Sequence, residues 1–418
     1  MIGGNLAVIP LIVLPLAIIG GIAVQRPLKN TINELFKYSA QKGATLIESL
    51  TNLDSIKQNG AEGQMQSRWE KNVGHIARLG LKSRFYSSIA VNLTAFLTQM
   101  ASIAVVIFGV YKISEGDLTT GGLIACTILT GRALAPIAQV ASLLTRYHQA
   151  RTSLDTLTNM MSLPVEREPG KKYLHRPTFK GAIEFKNVTF SYPEQAIKAL
   201  DNISFKIKPG ERLAFIGRIG SGKSTIEKLM MGLYAPQEGS ILIDGTDIRQ
   251  IDPSDLRRQI GYVPQDISLM FGTIKDNITM GSRYADDASI LHAAEVAGVT
   301  QFVNRHPEGF DMAVGERGSS LSGGQRQSVA VARSLLLSPS IFIMDEPSNS
   351  MDNSTEAMFK DKFSQQLGVQ TLILVTHRAS LLSLVDRLIV LDGAKIVADG
   401  PKDNVLEALK KGQIKVSN

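Results

Sequence analysis

No charged residue interrupts the chain from Ile2 to Val24, and almost every position in that stretch is apolar. A helix of about 20 such residues crosses the hydrocarbon core of a bilayer. Two further apolar runs, at 89–111 and 121–144, flank the short turn Ser114-Glu115-Gly116-Asp117. The pattern therefore predicts three membrane helices, at 2–24, 89–111 and 121–144, the last two forming a hairpin. Between the first and second, Leu46, Leu50, Leu53 and Ile56 recur near helical spacing among charged residues, so 25–84 reads as long helices extending beyond the membrane. The pattern changes after Leu163. Residues 161–180 hold Pro164, Pro169 and Pro177 with little periodicity, the makeup of a linker. Ile183–Phe190 then alternates apolar and polar residues as a half-buried strand does, whereas Ser340-Ile341-Phe342-Ile343-Met344 is a run of the kind buried on both faces. Residues 181–418 suffice for one α/β domain.

A signal peptide would need a positive leader and a shorter apolar core. None precedes the first run, and its Pro10 and Pro15 are tolerated in membrane helices whose neighbours re-satisfy the backbone. The second and third runs carry Asn92, Thr94, Thr98 and Gln99, then Thr127, Thr130 and Arg132. Such groups suit helices lining a bundle interior or a pathway, although a buried hairpin of a soluble protein is the alternative. The net charge of +7 raises the question of nucleic acid, but no basic-and-aromatic module accompanies it. Much of the charge sits in 25–84, where Arg26, Lys29, Lys37, Lys42, Lys57, Arg68, Lys71, Arg78, Lys82 and Arg84 outnumber Glu34, Glu48, Asp54, Glu62 and Glu70. The positive-inside rule puts this segment in the cytoplasm, the 114–117 turn outside, and the chain after Arg146 inside again. Cys126, the single cysteine, excludes an internal disulfide and a thiolate metal cluster, and its apolar setting favours a packed thiol.

The strongest local signal is Gly217-Arg218-Ile219-Gly220-Ser221-Gly222-Lys223-Ser224-Thr225, after the strand-like 212–216 and before the helical 226–231. This is a Walker A loop in its expected context: glycines let backbone N–H groups approach phosphate at a helix start. Lys223 would reach the β- and γ-phosphates and Ser224 would ligate Mg2+. Downstream, the apolar strand at 340–344 ends in Asp345-Glu346, suited respectively to the metal shell and to polarising water. A second anion-binding helix start, Leu321-Ser322-Gly323-Gly324-Gln325, exceeds what one nucleotide needs from one chain, and would grip a nucleotide held by a partner. Gln265 and His377 follow strand-like segments, where open α/β sheets place ligands, and Tyr192 could stack on adenine.

In this order, Tyr192, the Walker A loop, Gln265, Leu321-Ser322-Gly323-Gly324-Gln325-Arg326-Gln327, Asp345-Glu346, Asp352 and His377 resemble the A-loop, P-loop, Q-loop, signature, Walker B, D-loop and H-loop of ABC transporters. Gly315-Glu316-Arg317-Gly318 resembles the segment by which exporter domains contact the partner's membrane helices, and Leu46 to Lys57 the second coupling helix. Gln25-Arg26-Pro27-Leu28, Gly131-Arg132-Ala133-Leu134-Ala135-Pro136 and Gln250-Ile251-Asp252-Pro253 are most similar to type I secretion ATPases exporting RTX toxins or adhesins. The resemblance implies a multi-domain fold: an all-α transmembrane helical domain (C-terminal part) at 1–160, followed by an α/β P-loop ABC nucleotide-binding domain. It implies ATP and Mg2+, with Glu346, His377 and Gln265 catalytic, Ser224, Gln265 and Asp345 at the metal, and Asp352 at a dimer contact. It implies a homodimer in the bacterial inner membrane, a periplasmic adaptor, an outer-membrane channel and a secreted polypeptide, with no nucleic acid. The chain reads as lacking the first three helices of such a half-transporter and the N-terminal peptidase-like domain common in the subfamily. Asn349-Ser350-Met351-Asp352 also departs from the usual Ser-Ala-Leu-Asp. An exporter of lipid, drug or peptide, or an ATPase without transport, stands as the alternative.

Overall fold

The computed structural model describes residues 4–282 and 284–413; Ile2 and Gly3 of the first expected membrane helix, and the end of the expected nucleotide-binding domain, lie outside them. The chain forms two units, Met1–Glu168 and Pro169–Asn418.

The first unit contains helices α1 (Val8–Thr51), α2 (Leu53–Gln58), α3 (Glu62–Ser114) and α4 (Thr120–Met161). Apolar run and charged extension are continuous: the 44 residues of α1 measure roughly 66 Å at 1.5 Å per residue, about twice the hydrocarbon thickness. Among the described residues, α1 and α3 are long and apolar enough to cross a membrane, with mean hydropathy 2.4 and 2.0 over their most apolar stretches. The run at 121–144 lies within α4, which Thr119 caps by accepting a hydrogen bond from the Gly122 N–H at 3.1 Å. Leu11, Ile19, Phe96 and Phe108 are exposed, as lipid-facing side chains must be. The hydroxyls of Thr94, Thr98 and Thr127 each donate to the carbonyl four residues earlier, at 2.9 Å. They are satisfied within their own helices and do not require a wet surface. This helical unit stands at the N-terminal end of the chain, so the fold class is corrected: the transmembrane part is N-terminal, not C-terminal, because its apolar helices precede every strand.

The second unit runs β1 (Ile183–Phe190), β2 (Leu200–Ile207), β3 (Arg212–Gly217), α5 (Lys223–Met230), β4 (Glu238–Ile243), β5 (Thr246–Asp247), α6 (Pro253–Arg258), β6 (Ile260–Val263), α7 (Ile274–Ile278), α8 (Asp287–Val296), α9 (Thr300–Val303), α10 (Gly323–Leu336), β7 (Ile341–Asp345), α11 (Asn353–Gln366), β8 (Thr371–Val375), β9 (Arg387–Asp392), β10 (Lys395–Pro401) and α12 (Lys402–Lys410). An antiparallel sheet has the order β2-β1-β4-β5, and a second sheet the order β10-β9-β3-β8-β7-β6. In the latter, β9, β3, β8, β7 and β6 are parallel and β10 is antiparallel.

Alternation along the parallel strands divides the core. Ile341, Ile343, Ile373, Val375, Leu213 and Phe215 pack toward the antiparallel sheet and α5. Phe342, Met344, Leu372 and Leu374 pack toward α8, α10 and α11. Burial on both faces explains why these strands are continuous apolar runs. Register then sets the functional edge. Val375 pairs with both Phe215 and Asp345, and Met344 pairs with Val263, so β3, β8, β7 and β6 end side by side. Ligands bind outside such carboxyl ends in open α/β sheets.

Candidate nucleotide-binding site

The glycine loop leaves β3 at Gly217 and enters α5 at Lys223. Gly217 has φ +156°, and a Cβ there would lie 2.1 Å from the Leu391 carbonyl oxygen. Gly222 has φ +104°, and a Cβ would lie 2.7 Å from the Ala199 carbonyl oxygen. Only glycine satisfies both the conformation and the closeness. The buried Lys223 ammonium donates to the carbonyls of Gly217 and Arg218, each at 2.7 Å, while Ser221 Oγ is 3.5 Å away. An ammonium has three donors, so one remains weakly engaged and free for a phosphate oxygen. Burial lowers the lysine's pKa, against the opposing pull of Asp345, Glu346 and Glu227. Ile219 lies on the loop's outer side, 98% exposed.

Asp345 ends β7, and Ser224 Oγ donates to its Oδ2 at 3.0 Å across 121 residues of sequence. Burial raises the Asp345 pKa, the Ser224 bond opposes this, and the charge of Glu346 adds to it. A hydroxyl and a carboxylate are the hard oxygen donors Mg2+ takes, the remaining positions going to water and phosphate. Among the described residues no group of three His, Cys, Asp or Glu could cage a metal.

Glu346 is buried and has φ +49°, a left-handed conformation that costs a non-glycine residue of order 1–3 kcal/mol. Its Oε2 accepts from Thr376 Oγ1 at 3.1 Å and its Oε1 from the His377 backbone N–H at 2.8 Å. Its own N–H donates to the Val375 carbonyl at 2.8 Å. The end of β8 thus holds the carboxylate beside Asp345, while the imidazole of His377 is exposed. Gln265 is exposed two residues past the end of β6. The Tyr192 hydroxyl lies 3.2 Å from Thr225 Oγ1, and its ring meets Phe190 and Tyr234 edge-on at 5.1 and 5.3 Å.

The second helix start forms a separate cluster. Ser322 caps α10 in a capping box: its Oγ accepts from the Gln325 N–H at 3.3 Å, and Gln325 Oε1 accepts from the Ser322 N–H at 2.8 Å. Leu321 is buried beneath. Ser322, Gly323, Gly324 and Gln325, with Phe302, Arg305 and Asp352, line a cavity of about 370 Å3. Among the described residues no hydrogen bond joins 321–325 to 217–225. Asp352 has a task in its own chain, capping α11 by accepting from Thr355 N–H at 2.8 Å and Thr355 Oγ1 at 3.0 Å. The Ser354 hydroxyl and Thr355 bonds hold its pKa at about 2. A further cavity of about 410 Å3, lined by Arg257, Tyr262, Met280 and Arg333, contains none of these residues.

Several side chains in the site were not read from sequence. Glu227 is wholly buried on α5, and its Oε1 has no hydrogen-bond partner. Tyr262 donates to its Oε2 at 3.4 Å. Burial, with Asp345 beside it, holds the Glu227 pKa well above its ordinary value, which favours the neutral carboxyl. Its position four residues after Lys223, on the same helix face, was the available signal. Gln327, the last residue of the signature segment, was read there, and it is buried, donating to the Glu346 carbonyl at 2.7 Å and accepting from the Ser350 N–H at 2.8 Å.

Known proteins carry the same layout. The ABC transporter family model matches residues 200–349, and the model for the ABC transporter transmembrane region matches residues 1–135. The chain belongs to the ABC transporters. These matches overturn the fold-class expectation of a C-terminal transmembrane part: the transmembrane region is the N-terminal one, ahead of the nucleotide-binding region. The leukotoxin translocation ATP-binding protein of Mannheimia haemolytica is 34% identical over 94% of this chain and 55% of its own length. The exotoxin translocation ATP-binding protein of Pasteurella aerogenes is 34% identical over 96% of this chain and 56% of its own. The chain thus spans about half the length of these relatives. The solved structure of a bacterial Atm1-family ABC exporter with ATP bound is 27% identical, with TM-score 0.87 over 100% of this chain and 74% of that one. As an ABC transporter with this transmembrane region, the chain is an inner-membrane protein that crosses the bilayer more than once, its nucleotide-binding unit in the cytoplasm.

Proposed function

We propose that this chain binds ATP with Mg2+, hydrolyses it, and powers export of a large polypeptide across the inner membrane. The observation that supports this most directly is the Ser224–Asp345 pair at 3.0 Å, with the Glu346 carboxylate held next to it by Thr376 and His377. Lys223 binds the β- and γ-phosphates with its remaining donor, and Tyr192 offers its ring to adenine. Mg2+, when bound, neutralises phosphate charge; Ser224 and Asp345 are the side chains that hold it, with Gln265 reaching in from β6. Each Glu346 oxygen keeps a lone pair beyond its present bond, so the carboxylate can orient a water and draw its proton. The His377 ring and Gln265 complete the contacts to the γ-phosphate and the water.

The capped start of α10, which shares no hydrogen bond with the phosphate loop among the described residues, fits a nucleotide held by a second copy. In the homodimer we propose, Ser322, Gly323 and Gly324 of each chain close over the other's ATP. The cargo assignment rests on the named relatives, which translocate a leukotoxin and an exotoxin. A periplasmic adaptor and an outer-membrane channel would complete the route. The membrane hydroxyls add nothing to this choice, since they are bonded within their helices.

The test is ATP turnover by the purified chain in lipid. Glu346→Gln should keep ATP binding and lose turnover by about 100-fold or more, because activating water is a transition-state role. Turnover close to that of the unsubstituted chain would remove Glu346 from the mechanism. For the cargo, deletion of the gene from its host should abolish secretion of one large protein; unchanged secretion with altered drug or lipid export would favour the other exporter class.

A further inference from the structure

Glu356 has no place in the chemistry above, yet its buried carboxylate is the meeting point of two loops. It lies on α11, one turn past the loop 346–352 that follows β7. The Ser348 hydroxyl, itself fully buried, donates to Glu356 Oε2 at 2.7 Å. The Arg378 guanidinium donates to the same oxygen, and the Ser380 hydroxyl donates to Oε1. Arg378 also donates to the Asn349 carbonyl at 3.1 Å. Ser348 and Asn349 belong to the loop after Glu346; Arg378 and Ser380 belong to the loop after His377.

The consequence reaches the carboxylate that faces the nucleotide. The Arg378 N–H donates to Thr376 Oγ1 at 3.0 Å, and that hydroxyl donates to Glu346 at 3.1 Å. The next N–H along, that of His377, holds the other Glu346 oxygen. Thus Glu356 fixes both loops between which Glu346 hangs. We propose that Glu356 is a positioning residue for ATP hydrolysis, its carboxylate clamping the Glu346 loop to the His377 loop. Burial alone would raise its pKa, but Ser380, Ser348 and Arg378 outweigh it and keep the group ionised. An ionised, multiply hydrogen-bonded acid is a rigid anchor.

The inference rests on the ATPase reading, and the experiment separates the two. Turnover at saturating MgATP and binding of a fluorescent ATP analogue are measured on the full chain in lipid, for Glu356→Gln and for Glu356→Met combined with Arg378→Met. The paired methionines replace the ion pair with apolar side chains, so the fold survives without the clamp. Turnover per nucleotide-binding chain should fall about 10- to 100-fold, the cost of displacing a reacting group by about an ångström, with analogue affinity changed less than about threefold. A merely structural role would lower the number of binding-competent chains and leave turnover per competent chain intact. In the Glu346→Gln background, Glu356→Gln should cost almost nothing more, because the group it positions is already disabled. Turnover per competent chain within twofold of the unsubstituted protein for both variants overturns the proposal, as does a full multiplicative loss on top of Glu346→Gln. An unsubstituted chain that binds ATP but never hydrolyses it overturns the ATPase reading and this inference together.

Discussion

Replacing Glu227 with leucine should make the nucleotide-binding unit more stable. The carboxyl is 0% exposed and its Oε1 lacks a partner. Leaving such a group unsatisfied costs about 1–3 kcal/mol, so Glu227→Leu should recover that amount less what the Tyr262 and Asp345 contacts contribute and any imperfection of fit. In a unit of this size 1 kcal/mol moves the unfolding midpoint by about 2–4 °C, giving an expected rise of at most about 12 °C. The pH dependence provides an independent check. The Glu227 pKa is raised in the fold above its ordinary value of 4.5. Above that ordinary value the unfolded chain loses the proton while the fold retains it. This group's contribution therefore falls as pH rises toward the folded pKa, by at most about 1.4 kcal/mol per pH unit. Asp345, also raised, leaves a residual slope of the same sign. The assay is thermal unfolding of the full chain in detergent between pH 5 and 8, following the transition that nucleotide shifts upward. The leucine variant should show a higher midpoint and a shallower decline with pH. A lower midpoint, or an unchanged pH slope, would refute the reading of Glu227 as a neutral, unsatisfied acid.

Two further outcomes follow from the site. Ser224→Ala removes one of the three protein oxygens proposed for the metal position, so the Mg2+ concentration giving half-maximal turnover should rise about tenfold or more, while metal-free nucleotide binding changes little; an unchanged Mg2+ requirement would exclude Ser224 as a ligand. Chains carrying Lys223→Ala, mixed with chains carrying Ser322→Arg, should recover activity that neither shows alone, because a heterodimer has one undamaged composite site; no recovery in a demonstrated mixed dimer would argue against sites shared between chains.

The glycine loop, Lys223 and the Asp345-Glu346 pair were legible because each is a local pattern: a loop before a helix, or acids ending an apolar strand. The groups that aim them were not. Thr376 meets Glu346 across 30 residues of sequence, and Arg378 meets Glu356 across 22. These contacts exist because β7 and β8 are neighbours in register, and a single threonine or arginine carries no periodicity to announce it. The helical unit left more open. Thr94, Thr98 and Thr127 suited a bundle interior or a pathway; Thr94 is buried, and a helix offers each hydroxyl the carbonyl one turn back. Hydropathy also marked 2–24 as a separate element, whereas the backbone continues unbroken to Thr51.

The two ways of satisfying polar groups separate what is rigid from what can switch. In α3 and α4 each of these hydroxyls depends only on its own helix, so these bonds survive any movement of one helix past another. At the carboxyl edge of the parallel sheet the loops 346–352 and 376–380 are short, and most of their hold comes from side-chain hydrogen bonds: Gln327 to Glu346 and Ser350, Glu356 to Ser348, Arg378 and Ser380, Thr376 to Glu346. Such bonds are formed or broken rather than gradually stretched, and a buried partner left alone is costly. The left-handed Glu346 backbone adds strain at the same point. A nucleotide that gives Lys223, Ser224 and Glu346 new partners therefore acts on the few bonds that set this edge. Its binding energy is delivered to these side-chain bonds, and not into the apolar core on either side of the sheet.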